Sequence, residues 1–221
     1  MSRRAATAER LVIPGPVGPL EALVESGPHE AAAVAVVCHP HPLHGGAMTN
    51  KVAYTLARAF TRVGAVSVRF NFRGVGASAG THAGGEGERD DAVAVASWAR
   101  AAYPGLPLYL GGFSFGAGVA ASVASGLRAA LLVTVAPPVA RLAGGVTPPG
   151  CPWLIVHGSE DELVPLGDVT AWRAQYAPTA RLVVLEGATH FFHGRLTELS
   201  ERVESFVRDA AGQGAADAAD A

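Results

Sequence analysis

The sequence has few cysteines, no long apolar run and no excess of positive charge. Two cysteines among 221 residues, Cys38 and Cys151, are too few for the disulfide framework of a small secreted domain, and we interpret both as reduced thiols packed in the core. No apolar run approaches the roughly 18 residues that a membrane-spanning helix requires. The formal net charge is -2, without a basic cluster interleaved with aromatics, which argues against nucleic acid as a partner.

The chain is instead rich in small and apolar residues, which indicates a globular protein. The first ten residues contain arginines but no apolar core of the kind that a secretory signal peptide has. We therefore expect a cytoplasmic protein without a membrane partner. The length and the 49% hydrophobic content predict a single domain over residues 11–211, after an N-terminal tail at 1–10. Residues 212–221 have no apolar side chain larger than alanine, and we expect disorder there.

Apolar runs alternate with helical patterns along the chain. Two short runs between Leu11 and Val24, broken by prolines and glycines, predict an antiparallel hairpin at a sheet edge. The continuous apolar runs that follow are typical of strands covered on both faces. The pattern predicts an α/β fold with a doubly wound, mostly parallel sheet of about eight strands. The later strands are expected at 31–38, 65–72, 106–112, 129–136, 153–157 and 181–185, and the helices at 51–63, 88–102, 115–125, 166–176 and 191–210.

Residues 111–118 read Gly-Gly-Phe-Ser-Phe-Gly-Ala-Gly and lie between a predicted strand and a predicted helix. In a G-x-S-x-G turn of this kind the serine projects from a sharp strand-to-helix connection. The residues two before and two after it must be small, because the two backbones nearly touch. Ser114 is therefore the candidate nucleophile. Taken alone, the motif is equally compatible with an ordinary glycine-rich turn.

A serine hydroxyl needs a general base, which an acid orients in turn. Asp161 stands among three adjacent carboxylates after one of the last two predicted strands, and His190 follows the other. Ligand sites lie at the carboxyl ends of the strands in such sheets, so we expect these side chains near Ser114. The chain order Ser, Asp, His is that of the nucleophile-elbow hydrolases. The alternatives left open are Glu160 and Glu162 for the acid, and His193 for the base.

The loop at residues 39–46 reads His-Pro-His-Pro-Leu-His-Gly-Gly and follows the first predicted parallel strand. An oxyanion hole needs two N–H donors, one from the residue after the nucleophile, Phe115, and one from this loop. The two prolines have no N–H to donate, so His41 is the nearest donor and Leu43 the second. The three histidines could also be interpreted as a metal cluster. No cysteine or carboxylate completes that set, and we favour a role in shaping the loop.

The remaining candidates concern the substrate and a cofactor. Residues 74–79 imitate a dinucleotide-binding fingerprint, but they do not follow the first parallel strand and the next helical pattern begins well downstream, so we predict no cofactor. The connection at 139–150 is short and rich in glycine and proline. It predicts a fold without a cap domain and therefore a shallow, open site. The candidate substrate contacts are Leu43, His44, Phe113 and Phe191.

Four segments together resemble a known family, at residues 39–46, 71–76, 112–116 and 190–194. They are similar to small α/β-hydrolases of bacteria that lack a cap and are related to dienelactone hydrolase, and the similarity covers about residues 11–210. It implies Ser114 as nucleophile, His190 as general base, Asp161 as the acid that orients it, and a small carboxylic ester as substrate.

Dienelactone hydrolases proper use a cysteine nucleophile, so their particular substrate is not implied for this chain. Thioesterase, peptidase or perhydrolase chemistry at the same three residues is an alternative to ester cleavage. A binding protein that keeps the fold without catalysis is a further one. The sequence leaves the oligomeric state open.

Overall fold

A single mixed sheet forms the centre of the molecule. The computed structural model describes residues 6–142, 144 and 146–219, with side chains described as far as residue 212. Within these residues eight strands lie in the order β1-β2-β4-β3-β5-β6-β7-β8. The strands are β1 Thr7–Gly15, β2 Gly18–Ser26, β3 Ala33–Cys38, β4 Ala65–Phe70, β5 Leu108–Phe113, β6 Leu131–Val135, β7 Trp153–Gly158 and β8 Arg181–Leu185. The helices are α1 Lys51–Arg62, α2 Glu86–Ala102, α3 Phe115–Ala124, α4 Leu166–Tyr176 and α5 Leu196–Ala219.

The N-terminal hairpin forms the antiparallel edge of this sheet. Strands β1 and β2 pair from Thr7 opposite Ser26 to Gly15 opposite Gly18, and β2 pairs antiparallel with β4. All later neighbours are parallel, as the continuous apolar runs predict. The α/β fold is confirmed. The first strand begins at Thr7, which pairs with Ser26 at the end of β2. The predicted N-terminal tail of residues 1–10 therefore ends too late.

Helices cover both faces of the sheet, which makes it doubly wound. On one face α1 and α5 pack together, with Leu56 and Phe60 of α1 and Leu199 and Val203 of α5 fully buried. On the other face α2, α3 and α4 contribute a second apolar cluster, which contains Trp172. Each face is thus closed by apolar side chains, and this explains why the strands between them are apolar on both sides.

The last helix begins and ends later than the sequence predicts. The sequence pattern indicates a helix from Phe191 to about Ala210, whereas α5 begins at Leu196 and its backbone continues to Ala219. Alanine is the strongest helix former, and the alanine-rich segment after Arg208 extends the helix without an apolar stripe. The backbone of the predicted disordered tail is thus described as part of α5 as far as Ala219, and residues 220 and 221 lie outside the described residues.

Functional groups collect at the carboxyl edge of the parallel strands. Between β6 and β7 the described residues contain one short 3-10 turn, Val139–Leu142, and no cap covers that edge, as the composition of this connection predicts. No helix in the described part of the chain has the length and apolar character needed to cross a membrane.

Candidate active site

Ser114 occupies a strained turn between β5 and α3. Its backbone has φ 52° and ψ -120°, a region that costs a non-glycine residue about 1–3 kcal/mol. A Cβ atom at Gly112 would lie 2.2 Å from the Gly116 carbonyl oxygen, and one at Gly116 would lie 2.4 Å from the Cys38 carbonyl oxygen. Glycine is therefore required on both sides of the serine. The turn is tied to the sheet by the Ser114 N–H, which donates to the Val135 carbonyl at 2.8 Å.

Three side chains from three different loops meet at this turn. His190 Nε2 lies 3.0 Å from Ser114 Oγ, and His190 Nδ1 lies 2.8 Å from Asp161 Oδ2. An ionised carboxylate only accepts hydrogen bonds, so Nδ1 carries the proton and Nε2 is left as the acceptor for the serine hydroxyl. Asp161 and His190 are 7% and 3% exposed, while Ser114 stays partly open to solvent. The arrangement can accept a proton from Ser114 as its oxygen attacks.

Asp161 is held in its ionised form by the loop that carries it. Its Oδ1 accepts the N–H groups of Leu163 at 2.9 Å and Val164 at 2.8 Å. Burial alone would raise the pKa of Asp161, but the hydrogen bonds from His190, Val164 and Leu163 outweigh burial and hold the pKa below its ordinary value. The carboxylate is thereby charged at neutral pH and oriented on both oxygens.

A second histidine, His157 at the end of β7, lies on the other side of this carboxylate. Its Nε2 is 3.6 Å from Asp161 Oδ2 and donates to the Val164 carbonyl at 2.8 Å. Burial lowers the pKa of His157, so the ring is neutral. The spacing of four residues to Asp161 is the one signal in the sequence that points to the contact.

The alternative candidates for the acid and for the base are exposed. Glu160 and Glu162 are exposed, and the Glu162 carboxylate accepts the backbone N–H of His190 at 3.0 Å without meeting its ring. His193 is exposed, with its ring 6.0 Å from that of Phe191. It lies in the turn before α5, and the interpretation of His193 as a residue of the last helix is therefore wrong.

The loop after β3 presents His41 toward the elbow. The carbonyl of His41 accepts the N–H groups of His44 and Gly46, each at 3.0 Å, which fixes a tight turn. The Leu43 N–H is already engaged with His41 Nδ1 at 3.3 Å. Within the described residues, neither the His41 N–H nor the Phe115 N–H donates to a protein acceptor. These two amides are therefore free to bind an oxyanion, whereas Leu43, the second candidate from the sequence, is occupied.

An aromatic cluster of His41, His44, His82 and Phe115 surrounds this turn. The His41 ring stacks on His44 with centroids 4.5 Å apart and lies 4.9 Å from both His82 and Phe115. His82 in turn is 2.8 Å from the carboxylate of Glu88, which is fully buried. Sequence reasoning missed His82 and Glu88, because nothing in their spacing connects them to the loop at 39–46.

Two buried polar side chains, His39 and Arg73, anchor the loops after β3 and β4. His39 Nδ1 donates to the Pro40 carbonyl at 2.6 Å, and His39 Nε2 accepts the Phe72 N–H at 3.0 Å. Burial lowers the pKa of His39 to about 4. Arg73, in the loop after β4, pairs with buried Asp91 of α2 at 2.7 Å. Both ring nitrogens of His39 are engaged, so the three histidines of this loop do not converge on a metal, and no metal-binding group of three or more ligands occurs in the described residues.

The candidate substrate contacts divide into two kinds. Leu43 is 69% exposed, Phe191 is 44% exposed and His44 is also open to solvent, so these three side chains are accessible to a ligand. Phe113 is fully buried, with its ring 5.2 Å from that of His190. The Phe113 ring packs against the His190 ring. The prediction of Phe113 as a substrate contact is wrong, because a strand residue whose side chain points into the core cannot reach a ligand.

Comparisons with known proteins identify the family and the fold to which the chain is similar. A family model described as serine aminopeptidase, S33, matches residues 31–149. The structure of an α/β serine hydrolase homologue from Coxiella burnetii is 45% identical, covers 89% of this chain and 96% of its own, and superposes with a TM-score of 0.86. An α/β serine hydrolase without a lid from Xanthomonas campestris is 41% identical, with coverages of 91% and 94% and a TM-score of 0.87. An uncharacterised protein of Rickettsia prowazekii is 31% identical over 87% of this chain and 86% of its own. The narrower resemblance to dienelactone hydrolases stays a prediction.

Proposed function

Because the chain belongs to the serine aminopeptidase S33 family of α/β serine hydrolases, we propose that it cleaves small carboxylic esters through an acyl-enzyme on Ser114. One observation carries the proposal. His190 lies between Ser114 Oγ at 3.0 Å and Asp161 Oδ2 at 2.8 Å, and hydrogen-bonded reach between nucleophile, base and acid is what acyl transfer needs.

In the first half of the reaction Ser114 is the nucleophile. Its Oγ forms a bond to the ester carbonyl carbon while His190 Nε2 takes the hydroxyl proton. Asp161 stabilises the imidazolium that results and does not itself become protonated. The tetrahedral intermediate collapses by breaking the bond to the leaving alcohol, which receives the proton from His190. The acyl group stays on Ser114 as an ester.

The negative charge on the carbonyl oxygen is stabilised by the N–H groups of Phe115 and His41. Both donors are free of protein acceptors in the described residues, and loss of one such donor typically costs about 100- to 1000-fold in rate. In the second half, water attacks the acyl carbon and His190 removes its proton. The proton then returns to Ser114 Oγ as the carboxylic acid leaves.

The open carboxyl edge supports small or exposed acyl groups over long buried chains. Leu43, in the loop that carries His41, and Phe191, directly after His190, are exposed apolar side chains. The 3-10 turn Val139–Leu142 is too short to close over a substrate. Thioesters and peptides carry the same carbonyl chemistry. A panel in which the leaving atom is varied between oxygen, sulfur and nitrogen at constant acyl length decides which bond the site prefers.

Replacement of the nucleophile tests the proposal. Ser114→Ala is expected to reduce kcat/KM on 4-nitrophenyl butyrate by about 10⁴-fold or more and to abolish labelling by a fluorophosphonate probe. Ser97→Ala, at an exposed serine of α2, is the matched control and should keep both. Full esterase activity in Ser114→Ala, or a wild type that never reacts with the probe, would contradict the proposal.

A further inference from the structure

A recess opens beside the nucleophile turn, on the side of α3. It begins at Phe115, the residue after Ser114, and follows α3 past Val119. The opposite wall is formed by Pro138 and Leu142, from the connection after β6. The cavity volume is about 70 Å³, which suits part of a small substrate. Apolar atoms therefore line the path that leads away from the oxyanion donors.

Two arginines stand at this recess, Arg89 on α2 and Arg141 in the 3-10 turn. Both are exposed. In the described part of the chain neither guanidinium forms an ion pair. The recess thus combines an apolar wall with two cations that have no ion-pair partner among the described residues.

The acidic groups near Arg89 do not neutralise it. Its neighbours on α2, Glu86 and Asp90, form no ion pair with it among the described residues. The carboxylate of Glu88 is turned inward, where it accepts the N–H groups of Ala83 at 2.9 Å and Gly85 at 2.7 Å. The lining of the recess therefore carries positive charge without a balancing carboxylate.

The charge of Arg141 also reaches the oxyanion loop. Burial is the largest cause that lowers the pKa of His41, and the charges of His44, His82 and Arg141 add to it. The recess and the candidate oxyanion hole share Phe115, which lines the recess and whose N–H is one of the two candidate donors. A substrate whose carbonyl oxygen is bound by the Phe115 amide can extend from there toward the two arginines.

We propose that this recess binds an anionic group of the substrate, so that the preferred ester carries a carboxylate a short apolar segment away from the bond that is cleaved. Arginine presents a planar fork of donors that matches a carboxylate. The apolar segment would lie against Val119 and Leu142. The recess follows α3 from Phe115 to Ser122, two turns or about 11 Å. The inference rests on the proposed ester cleavage at Ser114.

The carboxylate can belong to the acyl part or to the alcohol part of the ester, and paired substrates distinguish these. For the acyl part, mono-4-nitrophenyl adipate is compared with its uncharged methyl ester. For the alcohol part, 4-acetoxybenzoate is compared with methyl 4-acetoxybenzoate. We expect wild type to prefer the charged member of one pair by kcat/KM, and the preference to shrink as salt rises from 50 to about 500 mM, because both arginines are exposed.

The variants Arg89→Gln and Arg141→Gln, singly and together, test which groups produce the preference. Each exposed charge contributes modestly, so we expect about a 3-fold fall in the charged-to-neutral ratio for each single variant and about a 10-fold fall for the double variant. The charged-to-neutral ratio cancels any change that affects both members of a pair alike, so it reports on the anionic group alone. Arg202→Gln, an exposed arginine of α5, removes the same charge far from the recess and should leave the ratio unchanged.

The outcomes separate this inference from the proposed function. A wild type that cleaves the uncharged esters but discriminates against the charged member of both pairs would overturn the inference and leave ester cleavage standing. An unchanged ratio in the double variant would do the same. A wild type that cleaves none of the four esters would overturn both.

Discussion

His190 and His157 flank the same carboxylate oxygen, and the difference between them defines the site. His190 Nδ1 lies 2.8 Å from Asp161 Oδ2, and His157 Nε2 lies 3.6 Å from it. Both rings are buried, at 3% and 0% exposure. Burial next to an aspartate therefore does not distinguish a general base from a structural histidine.

The two histidines differ in the contacts of the ring nitrogen that faces away from Asp161. In His190 it is Nε2, which meets Ser114 Oγ at 3.0 Å at a partly open position. In His157 it is Nδ1, which is buried and has no hydrogen-bond partner among the described residues. Only the first ring connects a nucleophile to an acid. The second secures the loop that carries the acid, through the Val164 carbonyl at 2.8 Å.

Removal of the His190 ring is expected to have the largest effect. Without Nε2 the Ser114 proton has no acceptor, and His190→Ala should lower kcat on 4-nitrophenyl butyrate by about 10⁵-fold. His193→Ala is the matched control, an exposed histidine three residues later, and should stay within about 2-fold of wild type. Equal losses in the two variants would mean that the geometry misidentifies the base.

Substitution of Asp161, whose carboxylate lies next to both histidines, is expected to have the second-largest effect. Asp161→Asn keeps an oxygen for the N–H groups of Leu163 and Val164, so the fold should persist. An amide can donate to His190 Nδ1, which favours the wrong tautomer, and kcat should fall by about 10⁴-fold. Asp168→Asn, at an exposed position of α4, controls for the lost charge. A variant with normal kcat and an unchanged unfolding midpoint would show that Asp161 serves neither histidine.

The sequence predicted one of these two histidines well and the other poorly. His190 is identified by chain order and by its place directly after a strand, because the carboxyl ends of parallel strands converge at one edge. Ser114 is identified by glycines whose necessity is steric, as the contacts of Gly112 and Gly116 show. Both signals depend on neighbouring residues or on the order of the strands along the chain, so they can be recognised in the sequence.

The parts that could not be predicted depend on packing between distant segments. Phe192 has φ 53° and is fully buried, so residues 191–195 form turns instead of the first turn of a helix, although their apolar residues suit helical spacing. Glu88 receives the Ala83 and Gly85 N–H groups and lies 2.8 Å from His82. Nothing along the chain indicates that this pair supports His41. The placement of His157 against Asp161 has only the spacing of four residues as its signal in the sequence.

Substitution of His157 should have the smallest effect on activity. It is also the most direct test of the difference between His157 and His190. His157→Gln keeps an N–H donor for the Val164 carbonyl, whereas His157→Leu leaves that buried oxygen unpaired and should cost about 1–3 kcal/mol in the free energy of unfolding, measured in urea. Activity should fall by about 10-fold or less in the Leu variant, because Val164 also holds Asp161. Loss as large as in His190→Ala would give both histidines the same role.

The pH dependence of stability separates the titration of His157 from its hydrogen bond. Burial holds the folded pKa of His157 below its ordinary 6.5, so the unfolded chain binds the extra proton first as the pH falls. Wild type should therefore lose stability progressively below pH 6.5. Both His157 variants remove this titration and should show a shallower loss over the same interval. His39, whose pKa is about 4, titrates in wild type and variants alike, so a slope remains. An identical slope in wild type and His157→Gln would mean that the folded protein protonates His157 as readily as the unfolded chain does.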